Sequence, residues 1–178
     1  TDKSPEAVML YLACLRLGSI YIPLNTAYTP TEVDYFLNDA EPTVLVCRPK
    51  SLVALSAIAA RAGVTKTFVM DVDGSGSITD AANTATPLEA IANCDSDDLA
   101  AILYTSGTTG RAKGAMLSHQ NLSSNALTLH EIWAFEDGDI LLHALPIYHV
   151  HGLFVALHCA LMNGSSIHFL DKFDPDTV

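Results

Sequence analysis

The sequence predicts an α/β fold, with parallel strands and helices packed over them, from three observations. Short runs rich in β-branched side chains alternate with longer stretches of helical periodicity, and cap-forming residues punctuate that alternation. A content of 49% hydrophobic against 16% charged side chains over 178 residues supplies one sizeable core and excludes a disordered chain.

Ser4-Pro5-Glu6 opens the first helix with a capping hydroxyl, a proline at the first helical position and an acid in the first turn, and Gly18 closes it. Val8, Leu12 and Leu15 form its apolar stripe. Ile20 to Leu24 reads as a short strand ended by Pro23. Thr29 and Glu32 have the spacing of a capping box ahead of a helix carrying Val33, Phe36 and Leu37. A strand at Thr43 to Cys47, a helix from Ser51 to Arg61 stopped by Gly63, and a strand at Lys66 to Met70 repeat the unit. From Asp71 to Asp98 the pattern lapses into Gly, Ser, Thr, Asn and Asp, predicting a surface connection with one short helix near Leu88 to Ala92. Beyond it, Leu99 to Tyr104 reads as a buried strand and Asn121 to Trp133 as a helix. Asp139 to Leu145 is strand-like, Gly152 to Met162 helical, and Ser166 to Leu170 strand-like again. The expected organisation is an α/β lobe over 1–70, a connection over 71–98, and a second α/β segment over 99–178.

Twenty acidic against nine basic side chains give a formal charge of −11, a surface that repels polyanions and argues against nucleic acid as a partner. No apolar run has the eighteen or so residues needed to cross a bilayer, and no signal-peptide layout opens the chain, so no membrane partner is expected. Cys14, Cys47, Cys94 and Cys159 stand singly, which suits a reducing, cytoplasmic compartment. Oligomeric state has no sequence signature here. Arg16, Arg48 and Arg61 read as solvated side chains, and Trp133, Tyr11, Tyr35 and Phe36 as core aromatics.

The chemistry concentrates in Tyr104-Thr105-Ser106-Gly107-Thr108-Thr109-Gly110-Arg111-Ala112-Lys113-Gly114. Its run of small residues lets backbone N–H groups approach an anion; four hydroxyls add donors and Lys113 a mobile positive charge. A phosphate-binding loop is predicted, in place of the flexible turn that a shorter glycine match would suggest. It is not a Walker A loop, because Ala112 and Ala115 stand where the second glycine would fall after Gly107 and Gly110.

That segment resembles the signature loop of the adenylate-forming enzymes, among them the acyl-CoA synthetases, with Ala112 in place of a usual proline. Leu15 to Asn25 and Leu145 to Leu153 resemble the flanking motifs of the same family, so the likeness spans the chain. Ile140 to Phe154 and Phe173 to Asp176 are similar to its malonyl-CoA synthetase branch. The resemblance implies part of the large N-terminal domain of an acyl-CoA synthetase-like fold. It implies an acid–thiol ligase that uses ATP, Mg²⁺ and coenzyme A to convert a small carboxylic acid, malonate foremost, into its thioester through an acyl-adenylate. Thr105, Ser106, Gly107, Thr108, Thr109 and Gly110 would then cradle the nucleotide phosphates, with Lys113 as the catalytic cation, while His149 and Val150 would line the acyl pocket. Val150 occupies a position usually held by threonine in that branch, removing a hydroxyl at constant size, which leaves another small acid as an alternative. A non-catalytic nucleotide- or phosphate-binding module is the other class of reading.

Five histidines, His143, His149, His151, His158 and His168, fall within twenty-six residues. On an extended segment His149 and His151 would share one face, so a metal site is a further, weaker reading there; the predicted set of resident metal ligands is empty. The chain opens at Thr1 and closes on Asp174-Pro175-Asp176-Thr177-Val178, which reads as a helix start without its helix; an N-terminal piece, inactive alone, is expected.

Overall fold

The computed structural model describes residues 1–105 and 111–176. Its chain contacts divide into two units, Thr1–Ala7 with Asn25–Glu89, and Val8–Leu24 with Ala90–Val178. Both carry the alternation of helices and strands that the sequence predicts.

In the first unit, α2 (Pro30–Ala40) begins where the capping-box spacing places it. The Thr29 amide donates to Glu32 Oε2 at 2.7 Å and the Glu32 amide returns to Thr29 Oγ1 at 3.3 Å. Strands β1 (Val44–Cys47) and β2 (Lys66–Val69) pair in parallel with Val44 opposite Lys66, and α3 (Leu52–Arg61) makes the crossover between them. Val33 and Leu37 from α2, Leu45 from β1, and Ile58 and Ala59 from α3 form the buried cluster. Arg48 departs from expectation: its guanidinium bonds the Thr26 carbonyl at 2.6 Å and Asp2 at 3.4 Å, so it ties three segments together. Arg61 does lie in solvent, beside Asp34 at 3.1 Å.

The expected short helix lies elsewhere. Residues 86–95 have no helix, and α4 (Ser77–Thr84) forms instead within the polar stretch. Its sequence, SITDAANT, has a loop-like composition. Bonds to the preceding segment offset that composition: the β2 amide of Val69 donates to Ser77 Oγ at 2.9 Å and Thr79 Oγ1 donates to the Gly74 carbonyl.

In the second unit, residues 8–16 of α1 (Pro5–Arg16) contribute the buried Tyr11, and only Tyr21 of the expected Ile20–Leu24 strand pairs, as an isolated parallel bridge to Ala101. Pro23 lacks the donor that would continue the ladder. Strand β3 (Leu99–Thr105) pairs antiparallel with β4 (Lys113–Ser118), correcting the all-parallel expectation. The reason is spacing: residues 106–112 are too few for a parallel crossover, which needs a dozen or more. Helix α5 (His119–Ile132) follows at once, its N-cap Ser118 and Asn121 forming a reciprocal box. Trp133, expected in the core, is instead about half exposed at the end of this helix.

Strands β5 (Ile140–His143) and β6 (Ser166–Phe169) pair in parallel, as expected. The segment joining them is not one α-helix. It starts as a π-helical turn over His151–Ala156 and becomes α6 (Leu157–Asn163), closed by Gly164 in the left-handed conformation. Tyr11, Leu153, Phe154 and Leu157 are the most completely buried large apolar side chains among the described residues, and the Tyr11 and Phe154 rings meet at 5.6 Å.

Candidate active site

The β3–β4 ladder brings Thr105 and Lys113 together. They are the last cross-strand partners of the hairpin, and Thr105 Oγ1 donates to the Lys113 carbonyl at 3.5 Å. Both residues are exposed at the open end of the ladder. Ser106, Gly107, Thr108, Thr109 and Gly110 lie outside the described residues. The pairing therefore sets the two ends of the hydroxyl- and glycine-rich loop directly opposite one another, with a lysine at the exit. This arrangement can present a cation to any anion held by the loop.

The second group of expected residues sits after β5. His149 follows the turn of Pro146-Ile147-Tyr148; its amide donates to the Pro146 carbonyl at 3.4 Å, and its own carbonyl accepts from the Leu153 amide at 3.0 Å. His149 is exposed and Val150 half-buried at the entry to the π-helical turn. The His149 and His151 rings stack at 5.2 Å with their Nδ1 atoms 3.4 Å apart. They lie on a turn running into a helix, not on the extended segment that the metal reading required. Among the described residues no three His, Cys, Asp or Glu side chains converge as a metal-binding group. No hydrogen bond or ion pair among them joins Thr105 or Lys113 to His149 or Val150.

One partly buried polar pair had no local signal in the sequence, because its members are 147 positions apart. Tyr11 Oη and His158 Nε2 lie 2.7 Å apart, their rings stacked at 5.7 Å, with Tyr21 and Phe154 packed against them. Burial pushes the His158 imidazole down to about 4 and the Tyr11 phenol up, so both are neutral near pH 7: Tyr11 donates and His158 accepts. Between about pH 6.5 and 4 the unfolded chain takes up a proton at His158 that the folded chain refuses, so stability is lost as pH falls through that window. His158→Gln keeps an acceptor and removes the titration. Urea unfolding at pH 7, 5.5 and 4.5 is expected to show a shallower loss in that variant, by up to about 1.4 kcal/mol per pH unit.

Over residues 1–178 the chain matches the family of AMP-binding enzymes, and it belongs to that family. MatB from Rhodopseudomonas palustris, solved with ATP bound, superposes with a TM-score of 0.95 at 56% identity, covering 99% of this chain and 35% of that one. That superposition bears out the acyl-CoA synthetase-like fold. Malonate–CoA ligase of Arabidopsis thaliana is 36% identical over 171 residues, 96% of this chain and 28% of the relative. Mitochondrial malonate–CoA ligase ACSF3 of Homo sapiens is 31% identical over 161 residues, 90% and 27% respectively. The chain thus spans about a third of the length of the relatives it matches. Among the described residues no helix is long and apolar enough to cross a membrane.

Proposed function

We propose that this chain supplies the phosphate-binding part of an ATP-dependent acid–thiol ligase that converts malonate, ATP and coenzyme A into malonyl-CoA, AMP and pyrophosphate. The carboxylate attacks the α-phosphorus of ATP, the α–β bridging bond breaks, and pyrophosphate leaves; the thiol of coenzyme A then attacks the acyl carbon and AMP departs. Residues 105–110 offer hydroxyls and backbone amides to the β- and γ-phosphates, and Lys113 neutralises charge accumulating on pyrophosphate. The observation that carries this reading is the hairpin register, which holds Lys113 opposite Thr105 at the mouth of the loop.

A net charge of −11 means that attraction for ATP is local to this loop and not a property of the whole surface. Mg²⁺ would accompany the nucleotide's phosphates, with a hydroxyl from among Thr105, Ser106, Thr108 and Thr109 beside it. The roles given to this chain's residues do not depend on that ion. His149 and Val150 line the acyl pocket, and the free thiols of Cys14, Cys47, Cys94 and Cys159 support a cytoplasmic setting.

The test uses the protein completed to the length of its relatives, with malonate, methylmalonate, acetate and longer acids compared by acyl-CoA and AMP formation. Malonate is expected to give the highest kcat/KM. A preference for monocarboxylates overturns the substrate, and nucleotide binding without AMP release overturns the ligase in favour of a binding module. The 178 residues by themselves are expected to release no pyrophosphate above a Lys113→Ala control.

A further inference from the structure

Gly152 carries an unusual carbonyl. In an α-helix it would accept the amide of Ala156; here it accepts that of Leu157, five residues on, which is the π-helical bond. The same carbonyl oxygen lies 3.0 Å from Nε2 of His143, the last residue of β5. A carbonyl only accepts, so His143 donates from Nε2, and its tautomer is set by that bond. The ring has no freedom to drift: His143 is 1% exposed and stacks on Phe169 of β6 at 5.1 Å and 16°. One turn earlier the pattern is ordinary, with the His149 carbonyl accepting from Leu153 at 3.0 Å. The bond that closes the π-helical turn of His151–Ala156 is therefore the one made to the carbonyl that His143 holds.

One residue inserted into a helical turn rotates everything before it by about 100° relative to everything after it. His149 and Val150 stand immediately before the π-helical turn and α6 after it, so their orientation depends on the extra residue being kept. We infer that His143 is a positioning residue: its Nε2–H, bonded to the Gly152 carbonyl, holds the π register that aims His149 and Val150 at the carboxylic acid. This rests on the reading that His149 and Val150 line the acyl pocket.

The test is made in the enzyme completed to its relatives' length. His143→Phe keeps ring volume and the stack on Phe169 but removes the donor; His143→Gln puts an amide N–H near the Nε2 position. His143→Phe is expected to raise KM for the acid about tenfold, the scale of one lost hydrogen bond, while KM for ATP stays within about twofold, and His143→Gln is expected to recover most of the loss. Should His143→Phe not fold, His143→Asn, whose shorter amide falls short of Gly152, replaces it in the comparison with His143→Gln. An unchanged acid KM in the donor-less variant, or an equal rise in both KM values, overturns the inference. His149→Ala separates the two levels. If it leaves acid KM unchanged, the pocket reading has failed and the inference with it; if it raises acid KM while His143→Phe does not, only the positioning role has failed.

Discussion

Replacing Lys113 by alanine in the completed enzyme is expected to lower kcat/KM for acyl-CoA formation by about 10²–10³-fold, the cost of removing one preorganised charge-stabilising group, or about 3–4 kcal/mol of transition-state stabilisation. The side chain is exposed at the end of the β3–β4 ladder, so folding is expected to change by no more than about 0.5 kcal/mol. The backbone pairing with Thr105 survives the substitution because it involves main-chain groups. Lys113→Arg keeps the charge but alters its shape and reach, and is expected to recover only part of the rate. Steady-state kinetics beside urea unfolding check this: a large kinetic loss with an unchanged unfolding midpoint is the expected pair of results.

The largest stability effect is expected at Gly152, and it comes from crowding. A Cβ placed there would sit 2.2 Å from the Pro146 carbonyl oxygen, 2.9 Å from the carbonyl carbon behind it and 3.2 Å from Cβ of Leu145. Two of those three atoms are backbone, so relief requires the Pro146 turn to separate from the π-helical turn. Gly152→Ala is therefore expected to cost about 3 kcal/mol, the upper range for overpacking a buried site. That separation also breaks the alignment of the Gly152 carbonyl with His143 and shifts His149, whose amide bonds the Pro146 carbonyl. Chemical unfolding gives the stability loss. The KM for the acid is expected to rise with it.

How much of this was legible in the sequence depends on whether the signal was local. The start of α2 was readable because Thr29 and Glu32 satisfy each other's amides within one turn. The parallel β1–β2 and β5–β6 pairs were readable because each is separated by enough residues of helical periodicity to make the crossover. The antiparallel β3–β4 hairpin was hidden behind the loop's composition, although the short count of residues 106–112 already excluded a parallel return. Helix α4 was not readable from SITDAANT, since what holds it comes from β2 and the Gly74 turn. The π-helical turn was beyond reach for the same reason: the donor that sustains it, His143, is on another element. The candidate site divides likewise. The motif from Tyr104 to Gly114 is contiguous and identifies itself by residue type, whereas the Tyr11–His158 pair joins positions 147 apart.

The claim that the hairpin loop and Lys113 serve adenylate formation is tested most directly by incubating the completed enzyme with malonate and ATP without coenzyme A. Hydroxylamine then traps the activated acyl group. Malonate-dependent release of one pyrophosphate per hydroxamate formed, lost in Lys113→Ala, is the predicted result. Pyrophosphate release that ignores malonate, or hydroxamate formation that survives Lys113→Ala undiminished, would contradict it.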